Sequence, residues 1–251
     1  MNTQNLDQNA NLFYNNINVI GDIHGRDTWK QLVKNDCINV FVGDYFDPYN
    51  IYTVEQLLEN FMDIIIYKEE HPDNVILLLG NHDAHYLDEY CLNGESSRYD
   101  SRNHEKFQTI LKENIDLFYG VVYYHEPTKS FISHAGLSNR WFIKHFNQIE
   151  QDPKQVEEII NKLWSEKPVA FTFGLNCSSP IDYYGESYTH SPIWIRPESL
   201  IDCNYFEHSD IEQIVGHTQV AEIYTSSNNI TLVDVLGTIN KSYTKYGTLG
   251  E

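Results

Sequence analysis

Val75-Ile76-Leu77-Leu78-Leu79-Gly80-Asn81-His82-Asp83 is the stretch on which the fold turns. Its unbroken apolar run reads as a strand covered on both faces, as in a sheet with helices outside it. The glycine that ends the run permits a tight turn, and short polar side chains follow at once. Four other stretches repeat the pattern: Val19-Ile20-Gly21-Asp22-Ile23-His24-Gly25, Val40-Phe41-Val42-Gly43-Asp44-Tyr45-Phe46-Asp47, Phe131-Ile132-Ser133-His134-Ala135-Gly136 and Ile214-Val215-Gly216-His217-Thr218. Polar residues at the C-terminal ends of neighbouring strands converge on one crevice, where open α/β sheets hold their ligands.

Outward from these motifs, strand and helix patterns alternate. Ile17–Ile20 and Ile38–Val42 read as strands, Asp27–Asn35 as a helix, and Thr53–Glu70 as a long helix capped by Thr53. Residues 84–100 look helical and then irregular, and His104–Leu117 helical. Gly120–His125 and Lys129–Ser133 form a predicted hairpin, followed by helices over Asn139–Asn147 and Pro153–Ser165. Strand candidates at Gln213–Val215, Glu222–Thr225 and Ile230–Val235 close the chain. The expectation is an α/β fold with two β-sheets packed face to face and flanked by helices, a four-layer αββα sandwich. All of 1–251 reads as one domain, with lid or insert segments near 84–118 and 166–192.

Composition narrows the function. The 251 residues are 41% hydrophobic and 14% aromatic, which suits a packed domain. No apolar run approaches a membrane span. The N-terminus lacks the basic and apolar regions of a signal peptide, and Cys37, Cys91, Cys177 and Cys203 form no close pair. A cytoplasmic protein with reduced thiols is therefore expected. A formal net charge of −19 disfavours general nucleic-acid binding. It also means that an enzyme handling phosphate here must draw positive charge from bound metal. The Asp, Asn and His donors suit manganese, iron, zinc or nickel, and two such ions in one site can clamp both a phosphate and the attacking water.

The ordered motifs Gly-Asp-Ile-His-Gly, Gly-Asp-Tyr-Phe-Asp, Gly-Asn-His-Asp, Ser-His-Ala-Gly and Gly-His-Thr span residues 21 to 218. In this they resemble the calcineurin-like metallophosphoesterase superfamily, and most closely its phosphoprotein-phosphatase branch, which includes bacterial diadenosine tetraphosphate hydrolases. The resemblance implies two divalent or mixed-valence metal ions. Asp22 and His24 would bind the first, Asp44 would bridge, and Asn81, His134 and His217 would complete the second. His82 would be the general acid with Asp47 orienting it, and a hydroxide bridging the metals would attack in line.

One departure concerns substrate. Relatives place an arginine directly after the second motif's final aspartate, where this chain has Pro48. Arg196, in Trp194-Ile195-Arg196, resembles an arginine of bacterial relatives and is the first candidate to grip phosphate; Arg98 is the second. A phosphomonoester on a phosphoprotein or a small molecule is the leading substrate class. A nucleotide phosphoanhydride such as a dinucleoside polyphosphate is the alternative, and a non-catalytic scaffold the third reading. His71, His104, His125, His145, His190 and His208 read as structural, and Asp83 as a loop brace. His85 reads equally as cleft lining or as helix surface. Tyr45, Phe46, Tyr49 and Tyr52 form either packing or a wall of the cleft.

Overall fold

The structure, a computed structural model, describes residues 15–87, 98–147, 150, 152–173 and 187–247. Its first sheet has the order β3-β2-β1-β9. Strands β1 (Asn16–Ile20), β2 (Ile38–Phe41) and β3 (Val75–Leu77) run parallel, and β9 (Tyr243–Tyr246) is antiparallel to β1. The second sheet has the order β4-β5-β6-β8-β7, from β4 (Val122–His125), β5 (Ser130–Ser133), β6 (Glu212–Val215), β7 (Tyr224–Thr225) and β8 (Ile230–Leu232). Its three central strands are parallel, and β4 and β7 lie antiparallel at its edges.

The two sheets meet through β-branched residues and leucine. Ile17, Val19, Val40 and Leu78 from one side pack with Ile132, Ile214 and Val233 from the other. The outer face of the first sheet is covered by helix α1 (Val54–Glu70), whose Leu57, Phe61, Ile64 and Ile65 are buried against Ile20, Phe41 and Leu77. Helices α4 (Asn139–Phe146) and α5 (Pro153–Glu166) cover the second, with Trp141, Phe142, Val156 and Ile160 in one cluster with Val122 and Phe131. The result is the four-layer αββα sandwich that the motif spacing predicts. Glu212, buried on β6, ties the layers at one edge by accepting from Tyr243 Oη at 3.0 Å and Lys245 Nζ at 2.6 Å on β9.

The helix expected over 27–35 is a correction: only a 3₁₀ turn forms, at Thr28–Gln31. Side-chain amides of the sheet take the backbone groups that a helix would use. Asn18 Nδ2 donates to Leu32 O at 2.9 Å, and Asn39 both accepts from Lys34 N (2.9 Å) and donates to Lys34 O (2.8 Å). Residues 104–117 split into helix α3 (His104–Glu113) and a 3₁₀ turn at Ile115–Leu117. Strand β9, whose Tyr-Thr-Lys-Tyr is too polar to show an apolar period, was not expected. Lysine on an edge strand is a usual guard against further pairing. Helix α6 (Pro197–Asp202) was also missed. The expected segments 84–118 and 166–192 include 88–97 and 174–186, which lie outside the described residues together with Cys91 and Cys177. Cys37 and Cys203 are buried free thiols. Among the described residues, no helix is long and apolar enough to cross a membrane.

Helix α1 is fixed at its start by a reciprocal cap: Gln56 N donates to Thr53 Oγ1 (3.2 Å), and Thr53 N donates to Gln56 Oε1 (2.8 Å). Thr53→Ala is expected to lower unfolding free energy by about 1 kcal/mol in urea titration, with the slope unchanged.

Candidate metal centre

Parallel strands β1, β2, β5 and β6 all deliver their C-terminal ends to one edge of the sandwich, and the loops there are stitched across both sheets. His24 N donates to Asp44 O at 2.6 Å and Gly216 N to His134 O at 2.8 Å. His217 N, from the second sheet, donates to both oxygens of Asp22 in the first, at 3.1 and 3.0 Å. The turns are tight enough to need unusual backbone. His24, Asp44, Asp47 and His217 all have positive φ, at 45°, 55°, 56° and 64°. Such angles are uncommon outside glycine, and here they fall on four residues of a single site. Two glycines matter for a different reason, close approach. A Cβ at Gly80 would lie 2.1 Å from Asp44 Oδ1, and one at Gly216 2.1 Å from Asp22 Oδ1.

All six residues expected to hold metal come together. Asp22, Asp44 and His134 are buried with ligand atoms within 4.8 Å of one another. His24 Nε2 lies 3.6 Å, and His134 Nε2 3.4 Å, from Asp44 Oδ2. Asn81 Oδ1 stands 2.7 Å from His134 Nε2 and 3.0 Å from His217 Nδ1, and those two nitrogens are 3.2 Å apart.

The tautomers follow from the opposite side of each ring. His24 Nδ1 meets Phe46 O at 2.9 Å, His134 Nδ1 meets Val42 O at 3.0 Å, and His217 Nε2 meets Trp194 O at 3.2 Å. A carbonyl oxygen can only accept, so each of these nitrogens carries the hydrogen. Burial pushes all three imidazoles well below their ordinary pKa, so they are neutral. Their other nitrogens are therefore lone pairs: that of His24 faces Asp44, that of His217 faces Asn81, and that of His134 faces both. Burial raises Asp22 and Asp44 well above the carboxylate range; Asp234 adds to this at Asp22, and Asp22 itself at Asp44. With the carboxylates ionised, the side-chain atoms that meet here are acceptors, an arrangement that fits multivalent cations, whose charge reverses each of these penalties. Ring N–H groups held by carbonyls are also the usual support of metal-binding histidines.

His82 and Asp47, expected as acid and orienting partner, are also brought together. His82 Nδ1 lies 2.8 Å from Asp47 Oδ2, and Tyr86 Oη donates to the other Asp47 oxygen. This leaves His82 Nε2 turned inward, 3.9 Å from Asp44 Oδ2. Burial, followed by the charges of Arg98 and Arg196, pushes His82 down to about 3. Arg196 Nη1 donates to Thr218 Oγ1 at 3.1 Å and His217 O at 3.4 Å. Arg98 donates to Pro48 O, and its guanidinium carbon lies 3.8 Å from the centroid of the Tyr49 ring. Asp83 braces the loops by accepting from Asp44 N, Tyr45 N and Gly80 N at 2.7, 2.9 and 2.8 Å.

Several neighbours were not singled out in the sequence. Buried Arg26 donates to Asp22 O at 3.2 Å and Ile23 O at 3.3 Å. It directly follows the first motif, and position alone could have flagged it. Asp234 is buried, and burial pushes it up to about 6 while it shares a hydrogen bond with Asp22. It too follows an apolar strand, β8, but without the glycine that marks the other motifs. Of the aromatic group, Tyr45 and Phe46 are core residues, whereas Tyr49 is half-exposed with its ring edge-on to His24 at 4.8 Å.

Comparison with known proteins gives the family and the fold. The family described as calcineurin-like phosphoesterase matches residues 16–221. A cold-active protein-tyrosine phosphatase of the psychrophile Shewanella sp. superposes with a TM-score of 0.51 at 17% identity, covering 87% of this chain and 70% of that one. A protein serine/threonine phosphatase of Saccharomyces cerevisiae gives 0.50 at 15% identity, covering 87% of this chain and 66% of that one. No curated protein sequence matches the chain. The family match spans most of the sequence and all five motifs, and the chain belongs to the calcineurin-like phosphoesterases, metal-dependent hydrolases of phosphate esters.

Proposed function

We propose that this protein is a binuclear metallophosphatase that hydrolyses phosphomonoesters by direct attack of water, without a phosphoenzyme. The observation that carries the reading is the convergence of inward lone pairs from His24, His134 and His217 on Asp44 and Asn81. Asp22 and His24 would hold one cation and Asn81, His134 and His217 the other, with Asp44 within reach of both groups. When bound, two cations supply the charge that draws in a phosphate and lower the pKa of water into the neutral range. The donors are oxygen and imidazole nitrogen, which suit manganese, iron, zinc or nickel.

The remaining roles belong to this chain's own groups. His82 protonates the leaving oxygen through Nε2, while Asp47, locked by Tyr86, fixes the ring by its Nδ1. In the free protein burial, followed by the charges of Arg98 and Arg196, lowers the proton affinity of His82. A phosphate dianion held by those guanidiniums would offset their part of this effect. Arg196 and Arg98 grip the phosphate oxygens in place of the arginine missing at Pro48. The acidic surface and the small number of cations favour a single phosphate over a polyphosphate chain. The substrate is accordingly a phosphoprotein or a phosphorylated small molecule.

Mn²⁺ added to protein stripped with chelator is expected to raise the melting midpoint and to start hydrolysis of an aryl phosphate. His82→Ala should then lower kcat by about 10²- to 10⁴-fold. Asp47→Asn should cost about 10- to 100-fold, with the Mn²⁺ effect on melting preserved. Absence of turnover with every divalent metal tried would reject the enzyme reading. In a second test, His134→Ala should abolish the metal-dependent rise in melting midpoint; an undiminished rise would show that metal binds elsewhere.

A further inference from the structure

His85 lies three residues beyond His82 on helix α2 (Asn81–Leu87), so the two rings share one helix face, with centroids 5.8 Å apart. It is not on the helix surface: only 2% of it is exposed. Neither Nδ1 nor Nε2 of His85 has a hydrogen-bond partner among the described residues. Its ring packs edge-on against Trp194 at 5.6 Å and parallel to Tyr99 at 6.1 Å. Trp194 in turn lies 5.9 Å from the ring of His217, whose Nε2–H its carbonyl accepts. His85 thus belongs to an aromatic wall that runs from His82 through Trp194 to His217.

A buried imidazole with two unmet nitrogens destabilises the fold, and a phenylalanine would fill the same space among aromatic rings without that cost. A polar ligand that arrives with substrate accounts for the imidazole. Burial, followed by the charge of His82, pushes His85 down to about 3, so the ring is neutral and offers one donor and one acceptor. Such a ring matches a hydroxyl or an amide and gives little to a second phosphate.

We propose that His85, backed by Trp194 and Tyr99, forms a leaving-group subsite beside His82 that hydrogen-bonds a hydroxyl or amide of the alcohol being released, as a phosphoserine peptide supplies. This rests on the phosphatase reading above and adds to it the chemistry of the leaving group.

The test compares the Mn²⁺-loaded full chain with His85→Phe and His85→Asn on two substrates. A phosphoserine peptide offers amides next to the ester, and phenyl phosphate offers none. His85→Phe is expected to lower kcat/KM on the peptide about five- to tenfold, the effect of one hydrogen bond, and on phenyl phosphate by less than about twofold. His85→Asn, which keeps a donor and an acceptor, should recover part of the loss. The melting midpoint of His85→Phe should stand at or above that of the parent protein. Equal losses on both substrates with a lowered midpoint would overturn the subsite and make His85 a packing support for His82. An unchanged peptide rate would overturn it too, as would a parent protein that cleaves phenyl phosphate but not the peptide. If the parent protein cleaves neither, the phosphatase reading fails and the subsite falls with it.

Discussion

The inward nitrogens of His24, His134 and His217 have no hydrogens to offer, because a backbone carbonyl behind each ring already holds its single N–H. That constraint organises the whole edge of the sandwich. Two carboxylates and an amide oxygen face the same space, so the side-chain atoms that these residues and the three rings bring together are acceptors. In a buried setting this is tolerable only around positive charge. The carbonyls of Phe46, Val42 and Trp194 therefore matter as much as the rings, since they choose which nitrogen is left bare. Two of them belong to loops that follow β2, and the third to the segment ahead of helix α6.

Building this arrangement strains the backbone. Four of the residues drawn into the site have positive φ, and Gly80 and Gly216 let the backbone come within contact of Asp44 and Asp22. The sandwich supplies the rigidity that holds such turns. Parallel strands buried on both faces set the loop origins, and hydrogen bonds cross between sheets, from His217 N to Asp22 and from His134 to Val42. The site thus sits at the seam between two sheets, and each cation would be held by residues of more than one loop. Loosening one loop would displace donors of the others.

Much of this was legible in the sequence because the site is made of local turns. An apolar strand, a glycine and a short polar side chain are consecutive residues, and their spacing survives without any tertiary knowledge. The N-cap at Thr53 and the hairpin turn at 126–128 were readable for the same reason. What escaped depends on contacts distant in sequence. The helix expected at 27–35 gives way to amides from Asn18 and Asn39, which lie on strands. Strand β9 is held by pairing with β1 and by Glu212, far from it in the chain. Asp234 lacked the glycine signature. The burial of His85 between Trp194 and Tyr99 depends on segments that no local pattern brings together.

With Pro48 in the usual arginine position, a guanidinium reaches the same loop from elsewhere: Arg98 donates to Pro48 O and lies over Tyr49. The central claim, however, concerns the metals. The most direct measurement is an anomalous difference map from a crystal of the manganese-loaded protein, collected above and below the manganese edge. The account predicts two peaks per chain, one between Asp22, His24 and Asp44, the other between Asp44, Asn81, His134 and His217. A single peak, or peaks away from these residues, would contradict it.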